Sequence, residues 1–343
     1  ALEVRLICSE VQVIPWREFD PSSTRAKLGF LSLKPRSIID TFSPEMAQAI
    51  TQTLNKQKYD VVIASQLQMA AYYPYFQNTP ALFEEMEIGL IYGQANASVD
   101  KVQRLRHAFT WFKLRIYLSQ LLKSFQAVTV VSEQEWELIV RNFPHVKSIQ
   151  VIPNCMNMDD YKDIQVEARS NTLIFTGSFR YRANYEAMVW FVREVFPLIL
   201  EKVSDAQLII TGDHADLPLP SNQNVTLAGY VDGIKGLIAS STVALAPLWS
   251  GGGTRLKILE AMAIGIPVVA TTKGAEGLDA QTGEHLFVTD EPGEFAETII
   301  KLLTDQNLRQ RLAANASRLV REKYDWAVVM PGFLDLLRRV ASI

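Results

Sequence analysis

The feature that most constrains the fold is a regular alternation of apolar, β-branched runs with amphipathic segments of helical periodicity. The runs predict strands at Val4–Cys8, Asp60–Ala64, Ala81–Glu84, Ala127–Val131, Thr172–Thr176, Gln207–Thr211, Val225–Ala228, Val243–Pro247 and Pro267–Ala270. Helices are predicted at Pro44–Gln57, 183–201, 232–240, 254–264, 294–303 and 327–341. Strands that alternate with helices are typical of parallel sheets, so the chain is predicted to be an α/β protein.

The length of 343 residues suits two domains. The segment 151–170 closes the first set of strands, is polar after Met156 and is predicted to be the linker. We predict an N-terminal domain over 1–160, a C-terminal domain over 161–325 and a final helical segment over 326–343. Ligands of parallel sheets bind beyond the carboxyl ends of the strands, so the site is expected in loops that follow strands.

Charge and cysteine content exclude several classes of function. The formal net charge is −3, which predicts no nucleic-acid partner. Cys8 and Cys155 are the two cysteines, and they form no C-x-x-C pair, so neither a disulfide framework nor a zinc site is predicted. No apolar run reaches the roughly 18 residues that span a bilayer. These features predict a cytoplasmic protein without a bound metal.

The stretch SGGGTRLKILEAMAIGIPVVAT (250–271) places three glycines between a buried strand and a helix. Glycine lets a ligand approach the backbone, and the N-terminus of the helix offers unpaired N–H groups and a positive dipole end. Arg255 and Lys257 add cations in the first turn, where cations are unfavourable unless an anion joins them. The pattern predicts a phosphate site, with Glu260 placed to bind a sugar hydroxyl and Gly265 as the C-cap.

A tight strand–helix turn with solvated charges would also account for this stretch. It contains neither the GxxxxGK[ST] pattern of a Walker loop nor the GxGxxG pattern of a dinucleotide site. ATPase and dehydrogenase activities are therefore disfavoured.

Several motifs together resemble a known family. GGGTRLKILEAMAIGIPVVATTKGAEGL is similar to the nucleotide-sugar region of retaining glycosyltransferase family 4, also called glycosyl transferases group 1. The likeness continues in IFTGSFRYRANYEAMVWFVREVFPLI, LIITGD, VTLAGYVDG and YDW, and in VVSEQEW and VIPNCMN before the linker. It covers nearly all of 125–343 and is looser upstream.

The resemblance implies a GT-B fold, in which two Rossmann-like domains face each other across a cleft and a C-terminal helix crosses back to the first domain. It implies transfer of a sugar, with retention, from a UDP-, GDP- or ADP-sugar to a carbohydrate or lipid-linked acceptor in cell-envelope or exopolysaccharide synthesis. The family needs neither a divalent metal nor another cofactor. In retaining members the departing phosphate helps to deprotonate the acceptor on the same face.

The family's motifs can be placed on this sequence residue by residue. Its ribose-binding glutamate matches Glu260, whereas the glutamate eight positions earlier falls on Gly252. Its GR…K pattern falls on Gly177, Ser178 and Ala183, so both usual cations are absent. The resemblance therefore implies that Arg255 and Lys257 neutralise the diphosphate. The other donor-binding residues that it implies are Gly177, Ser178, Arg180, Arg182, Val231, Gly251, Gly252, Gly253 and Thr254.

The first domain is expected to be incomplete at its start. Family members usually begin with a strand and a Gly-rich loop before a strand like LEVRLIC, whereas this sequence opens with Ala1 and that strand. We therefore expect about one β-loop-α unit to be missing. Glu85 follows a predicted strand and is a candidate to orient the acceptor hydroxyl, although a solvated loop acid is the alternative.

The segment 101–125 carries six Lys and Arg residues and no acid, with Phe109, Trp111, Phe112 and Tyr117 interleaved. Such a helix can lie on anionic lipid, which would place the protein peripherally at the inner face of the membrane. The alternative, which we favour here, is a helix with its apolar face in the core and its basic face in water.

Three rival functions remain open. Gly252 in place of the first glutamate suits a nucleotide-sugar-binding protein without activity. A sugar-nucleotide epimerase or a phosphorylase shares the implied fold, but the sequence offers no base beside the sugar and no second phosphate site for either.

Overall fold

The computed structural model describes residues 7–97, 101–162, 164, 166–252 and 255–342. The chain divides into two compact units, one formed by Ala1–Val151 with Leu334–Ile343 and the other by Ile152–Phe333. Each unit contains one parallel sheet with helices around it. The predicted α/β class with two parallel-sheet domains is therefore confirmed.

The sheet of the first unit has the strand order β1-β2-β3-β4, and all its pairs are parallel. Its strands are β1 Val62–Ser65, β2 Ala81–Glu84, β3 Ala127–Val130 and β4 Ile149–Val151. Its helices are α1 Thr24–Leu28, α2 Arg36–Thr41, α3 Pro44–Lys56, α4 Gln66–Ala70, α5 Gly89–Ala97, α6 Lys101–Leu121 and α7 Glu133–Asn142.

Local chemistry explains where these elements begin. Ser43 accepts a hydrogen bond from the Met46 N–H and Pro44 occupies the first position of α3, so that helix starts as its sequence directs. Ser132 caps α7 in the same way. All four residues of β3 are buried, as expected for a parallel strand covered on both faces.

The sheet of the second unit has the order β10-β9-β8-β5-β6-β7, again with parallel pairs. Its strands are β5 Thr172–Thr176, β6 Gln207–Thr211, β7 Val225–Gly229, β8 Val243–Ala246, β9 Val268–Ala270 and β10 Phe287–Val288. Its helices are α8 Arg182–Trp190, α9 Phe196–Leu200, α10 Ile234–Ser240, α11 Leu256–Ile264, α12 Thr272–Ala275, α13 Pro292–Thr304 and α14 Gln306–Lys323, followed by α15 Trp326–Ala341. A π-helical turn, Phe191–Val195, joins α8 to α9.

This second sheet is covered by a core on each face. Leu173 and Phe175 of β5 face a cluster that includes Phe191 and Phe295, whereas Ile174 faces the cluster on the opposite side. Successive side chains of a strand point to opposite faces, so the uninterrupted apolar run of β5 fills both cores. Gly265 ends α11 with φ of +88°, which confirms the predicted C-cap.

Some elements differ from expectation. Helix α11 begins at Leu256 rather than at 254, and α14 was not predicted. The predicted strand Val4–Cys8 lies largely outside the described residues, and its last two, Ile7 and Cys8, are not in a strand. Helix α15 continues from the second unit into the first, to which its residues from Leu334 onward belong. Within the described part of the chain, no helix is both long and apolar enough to cross a membrane.

Candidate functional site

Three loops leave the carboxyl ends of adjacent strands in the second sheet. The chain builds β5, β6 and β7 outward in one direction and then returns to place β8, β9 and β10 on the other side of β5. Ligands of open parallel sheets bind at such a switch point, beyond the carboxyl ends of the strands. The loops that start there are 177–181 after β5, 212–216 after β6 and the one that begins at 247 after β8. The glycines singled out in the sequence therefore follow the two strands, β5 and β8, that flank the switch point.

The loop after β5 begins with a glycine that has no room for a side chain. Gly177 has φ of +154°, and a Cβ there would lie 2.6 Å from Asn184 Nδ2 and 2.9 Å from Lys257 Nζ. Asn184 Nδ2 also donates to the Ser178 carbonyl oxygen at 2.8 Å, while Ser178 Oγ donates to the carbonyl oxygen of Asp213 at 3.1 Å. At Gly177 the loop is therefore bare backbone, and α8 and the loop after β6 hold it in place.

Lys257 reaches from α11 into this loop. Its Nζ donates to Asn184 Oδ1 at 3.0 Å and lies 4.1 Å from the centroid of the Phe175 ring. Burial and then the positive charge of Arg255 lower the pKa of Lys257 to about 7, and Glu260 acts in the opposite direction. The amine has no carboxylate in hydrogen-bond contact among the described residues. It is thus a cation that an anionic ligand would stabilise.

Arg255 makes hydrogen bonds to the backbone of the loop after β8. Its side chain is buried, and its terminal nitrogens donate to the carbonyl oxygens of Gly252 at 2.6 Å, Gly251 at 3.1 Å and Lys273 at 3.3 Å. The guanidinium is therefore turned into the loop after β8 and holds its backbone. The role that the resemblance implies for Arg255, neutralisation of a diphosphate, stays a prediction.

The loops after β5 and β8 also touch each other. Gly251 has φ of +102°, and the hydroxyl of Tyr181 occupies the place that a Cβ would take. Gly252 is exposed, whereas Gly253 and Thr254 lie outside the described residues. This contact holds Gly251, in the glycine loop after β8, against the loop that starts at Gly177.

Arg180 and Arg182 do not add free cations to this cluster. Arg180 pairs with Asp213, and Arg182 donates from Nε to Glu186 Oε1 at 2.6 Å. The side chain of Arg182 is 87% exposed. Both are surface ion pairs, and the donor-binding role that the resemblance implies for these two residues stays a prediction.

Glu260 meets a residue from the start of the second unit. Tyr161 donates its hydroxyl hydrogen to Glu260 Oε1 at 3.2 Å, and Lys235 Nζ lies 4.2 Å from the centroid of the Tyr161 ring. Burial and then the negative charge of Glu260 raise the pKa of the Tyr161 hydroxyl, so it stays a donor. One carboxylate oxygen of Glu260 is thereby oriented by the protein.

Two further predicted residues follow other strands. Val231 is half-buried in the turn after β7, beyond β6 in the sheet. Glu85 belongs to the first unit, where it follows β2 with φ of +54° and its backbone N–H donates to Thr129 Oγ1 at 3.1 Å. Among the described residues no group of three or more His, Cys, Asp or Glu side chains could hold a metal ion.

The candidate site consists of the switch point, the backbone at Gly177 and the amine of Lys257. A comparison of sequences with known families matches the part of the chain that contains it. Residues 170–305 match the family model of the glycosyl transferases group 1. This matched region contains β5 to β10 and every donor-site residue discussed above except Tyr161.

The group 1 likeness extends to individual proteins. The chain is 29% identical over 204 residues to the phosphatidyl-myo-inositol mannosyltransferase of Mycobacterium leprae (strain TN), which covers 56% of this chain and 54% of that protein. The chain spans about half the length of the first curated relatives it matches.

Solved structures are similar over a larger part of the chain. Anabaena Alr3699/HepE, crystallised with UDP and glucose, has a TM-score of 0.66 at 15% identity and covers 86% of this chain and 81% of its own. Sucrose-phosphate synthase from Thermosynechococcus elongatus has a TM-score of 0.66 at 18% identity and covers 87% of this chain and 78% of its own. At these identities the likeness shows the fold, which is that of GT-B glycosyltransferases.

Two residues of the candidate site, Asn184 and Tyr161, were not predicted from the sequence. Asn184 is a buried amide on the apolar face of α8, between Ala183 and Ala187, and a polar residue on such a face was the available signal. Tyr161 lies in a 3₁₀ turn, Met158–Tyr161, within the predicted linker, and nothing in its local sequence marks it.

Proposed function

We propose that the chain is a hexosyltransferase-type enzyme of glycosyltransferase family 4, which transfers a sugar with retention from a nucleoside-diphosphate sugar to an acceptor hydroxyl. The observation that carries the proposal is the amine of Lys257, which lies beside the bare backbone of Gly177 at the switch point of the second sheet. A cation beside a glycine backbone, in the loops at a switch point, suits a diphosphate.

The donor-side roles follow from this geometry. Gly177, Ser178 and the glycine loop would contact the donor through their backbone, and Lys257 would neutralise the charge that develops on the leaving diphosphate. Glu260 would accept a hydrogen bond from a ribose hydroxyl. Val231 would lie beside the base, as the resemblance implies.

Transfer would proceed on one face of the sugar. The bond between the anomeric carbon and the diphosphate oxygen breaks, and its electron pair leaves with the nucleoside diphosphate. The acceptor oxygen bonds to the same carbon from the same side, and its proton passes to an oxygen of the departing phosphate. This step needs no carboxylate pair of the glycosidase kind and, we propose, no divalent metal. Glu85 is a candidate to orient the acceptor hydroxyl.

The comparisons support the choice of substrates only at the level of class. A relative named as a mannosyltransferase and a similar structure solved with UDP and glucose both favour a hexose donor. We propose a UDP-, GDP- or ADP-sugar as donor, a carbohydrate or lipid-linked acceptor, and a cytoplasmic role in cell-envelope or exopolysaccharide synthesis.

Calorimetric titration with UDP, GDP and ADP in the presence of a chelator tests the donor site. We expect micromolar binding of one nucleotide by the wild type and its loss in Lys257→Ala. Lys301→Ala is the matched control, because it removes the same charge from the last turn of α13, where the helix ends. Absence of binding by all three nucleotides would overturn the proposal.

Turnover separates the enzyme from its alternatives. The protein is incubated with the nucleotide sugar that corresponds to the nucleotide it binds, together with a glycan or lipid acceptor. Free nucleoside diphosphate and a glycosylated product of unchanged anomeric configuration should be released. Binding without release would favour a nucleotide-sugar-binding protein. Conversion of the sugar into its epimer without an acceptor would favour an epimerase.

A further inference from the structure

The N-terminal half of α6 exposes apolar side chains along one face. Leu105, Phe109 and Phe112 are 74%, 51% and 57% exposed, and their spacing of four and three residues places them on the same side of the helix. The C-terminal half behaves differently, since Leu114 and Leu118 are buried in the core. The expected arrangement, with the apolar face of the helix in the core, therefore holds only for the second half of α6.

A neighbouring segment extends this exposed face. Lys113 Nζ donates to the carbonyl oxygens of Gly29 at 2.9 Å and Phe30 at 3.4 Å, and it lies 5.7 Å from the centroid of the Phe109 ring. The chain beside this contact exposes four more large apolar side chains, with Leu31 at 92%. We refer to the following exposed residues together as the basic apolar surface: Leu28, Phe30, Leu31, Leu33, Leu105, Phe109 and Phe112.

Lys and Arg residues are concentrated in both segments of this surface, and the acids Asp20 and Asp40 flank the first segment. Residues 101–125 contain six Lys and Arg and residues 21–39 contain four, and neither segment contains Asp or Glu. On α6 the exposed cations include Arg104 and Arg106, next to Leu105, and Arg36 lies 3.9 Å from the centroid of the Phe30 ring. Large apolar side chains between cations are the pattern of a helix that lies in a lipid interface.

We propose that the basic apolar surface binds the headgroup region of an anionic phospholipid bilayer, with its apolar side chains inserted among the acyl chains and its cations on the lipid phosphates. A second copy of this chain is a poorer occupant, because two such faces would oppose like charges. The proposal stands on the first unit and is independent of the donor site.

Vesicle co-sedimentation of the full chain tests this binding. We expect sedimentation with phosphatidylcholine vesicles that contain phosphatidylglycerol, none with phosphatidylcholine alone, and release at high salt. Leu105→Ser with Phe109→Ser should weaken binding by more than about tenfold, since each methylene inserted into lipid contributes about fourfold. Val140→Ser with Leu334→Ser is the matched control, because both are exposed apolar residues on other helices.

A second variant removes charge without touching the core. Arg104→Gln with Arg106→Gln should weaken binding by about 25-fold, since each cation near an anionic surface contributes about fivefold. Equal binding to neutral and anionic vesicles, or equal binding by the two serine double variants, would overturn the proposal. So would dimerisation in light scattering that Leu105→Ser with Phe109→Ser abolishes, because the surface would then join two copies of the chain.

Discussion

Donor binding should take up a proton at Lys257. In the free protein burial holds the pKa of this amine at about 7, well below its ordinary value of 10.5. A bound diphosphate replaces lost solvation with negative charge and raises the pKa again. Because the complex then holds the proton more tightly than the free protein does, affinity must fall as the pH rises through 7.

The size of the effect follows from the fraction of Lys257 that carries its proton. At pH 7 about half of the amine is charged, and at pH 8.5 about 3% is charged, given a pKa of about 7. If the complex keeps its proton up to pH 8.5, affinity should fall about 16-fold between these values, or about 1.6 kcal/mol. Proton uptake per binding event should rise from about 0.5 to nearly 1 over the same interval.

Calorimetry in two buffers of different ionisation enthalpy measures both quantities. The titrant should be a nucleotide sugar rather than a nucleoside diphosphate, because its doubly esterified diphosphate does not titrate in this interval. Lys257→Met should bind more weakly at pH 7, and its affinity should not change with pH. Ala183→Lys added to Lys257→Met should restore part of the affinity. Ala183 lies in the first turn of α8, next to Asn184, the residue to which Lys257 donates.

Two results would refute this reasoning. Equal affinity of the wild type at pH 7 and pH 8.5, without proton uptake, would mean that Lys257 keeps its charge in the free protein or does not meet the phosphates. A pH dependence that persists in Lys257→Met would assign the proton to another group.

Three further outcomes are expected. Gly177→Ala should lower the free energy of unfolding by about 1–3 kcal/mol, because φ is positive and Asn184 fills the space where the Cβ would lie. Gly293→Ala is the control, because a Cβ there would have nothing within 4 Å, and it should leave the free energy of unfolding nearly unchanged or raise it. Urea titration compares the two variants. Tyr161→Phe leaves Glu260 without its donor, so the ratio of affinities for a ribose and a 2′-deoxyribose nucleotide should change, which calorimetry measures. Arg255→Lys cannot bridge three carbonyl oxygens and should lower stability by about 1–3 kcal/mol, as seen in thermal unfolding.

Much of the second unit could be predicted because its strands are apolar on both faces. The bounds of Thr172–Thr176 and Gln207–Thr211 match the sequence prediction, since a continuous buried run ends where polar residues begin. Helix α14 was not predicted, although its buried residues Leu312, Ala316, Leu319 and Val320 follow the spacing of an amphipathic helix and its exposed face is highly charged. Strand β4 has only three residues, too few for a periodic pattern.

The loops of the candidate site could be predicted, but their contacts could not. The rule that ligands bind beyond the carboxyl ends of parallel strands selects the loops at Gly177 and Gly251 from the sequence. The pairing of Arg180 with Asp213 and of Glu260 with Tyr161 depends on which loops the sheet order brings together. That order places β8 beside β5, although the 66 residues between Thr176 and Val243 contain three α-helices and two strands.

The position of positive charge is where alignment and structure differ most. By sequence, the residue that matches the family's lysine is Ala183, which suggests a donor site without its cation. In the structure, Lys257 brings an amine from α11 to Asn184, the residue next to Ala183, and to the backbone of Gly177. Arg255, which looked equivalent in the sequence, is instead bound to loop carbonyls. A charge lost at one position of the chain is therefore restored at nearly the same point in space from another element, and the loss of the motif residue does not argue for loss of donor binding.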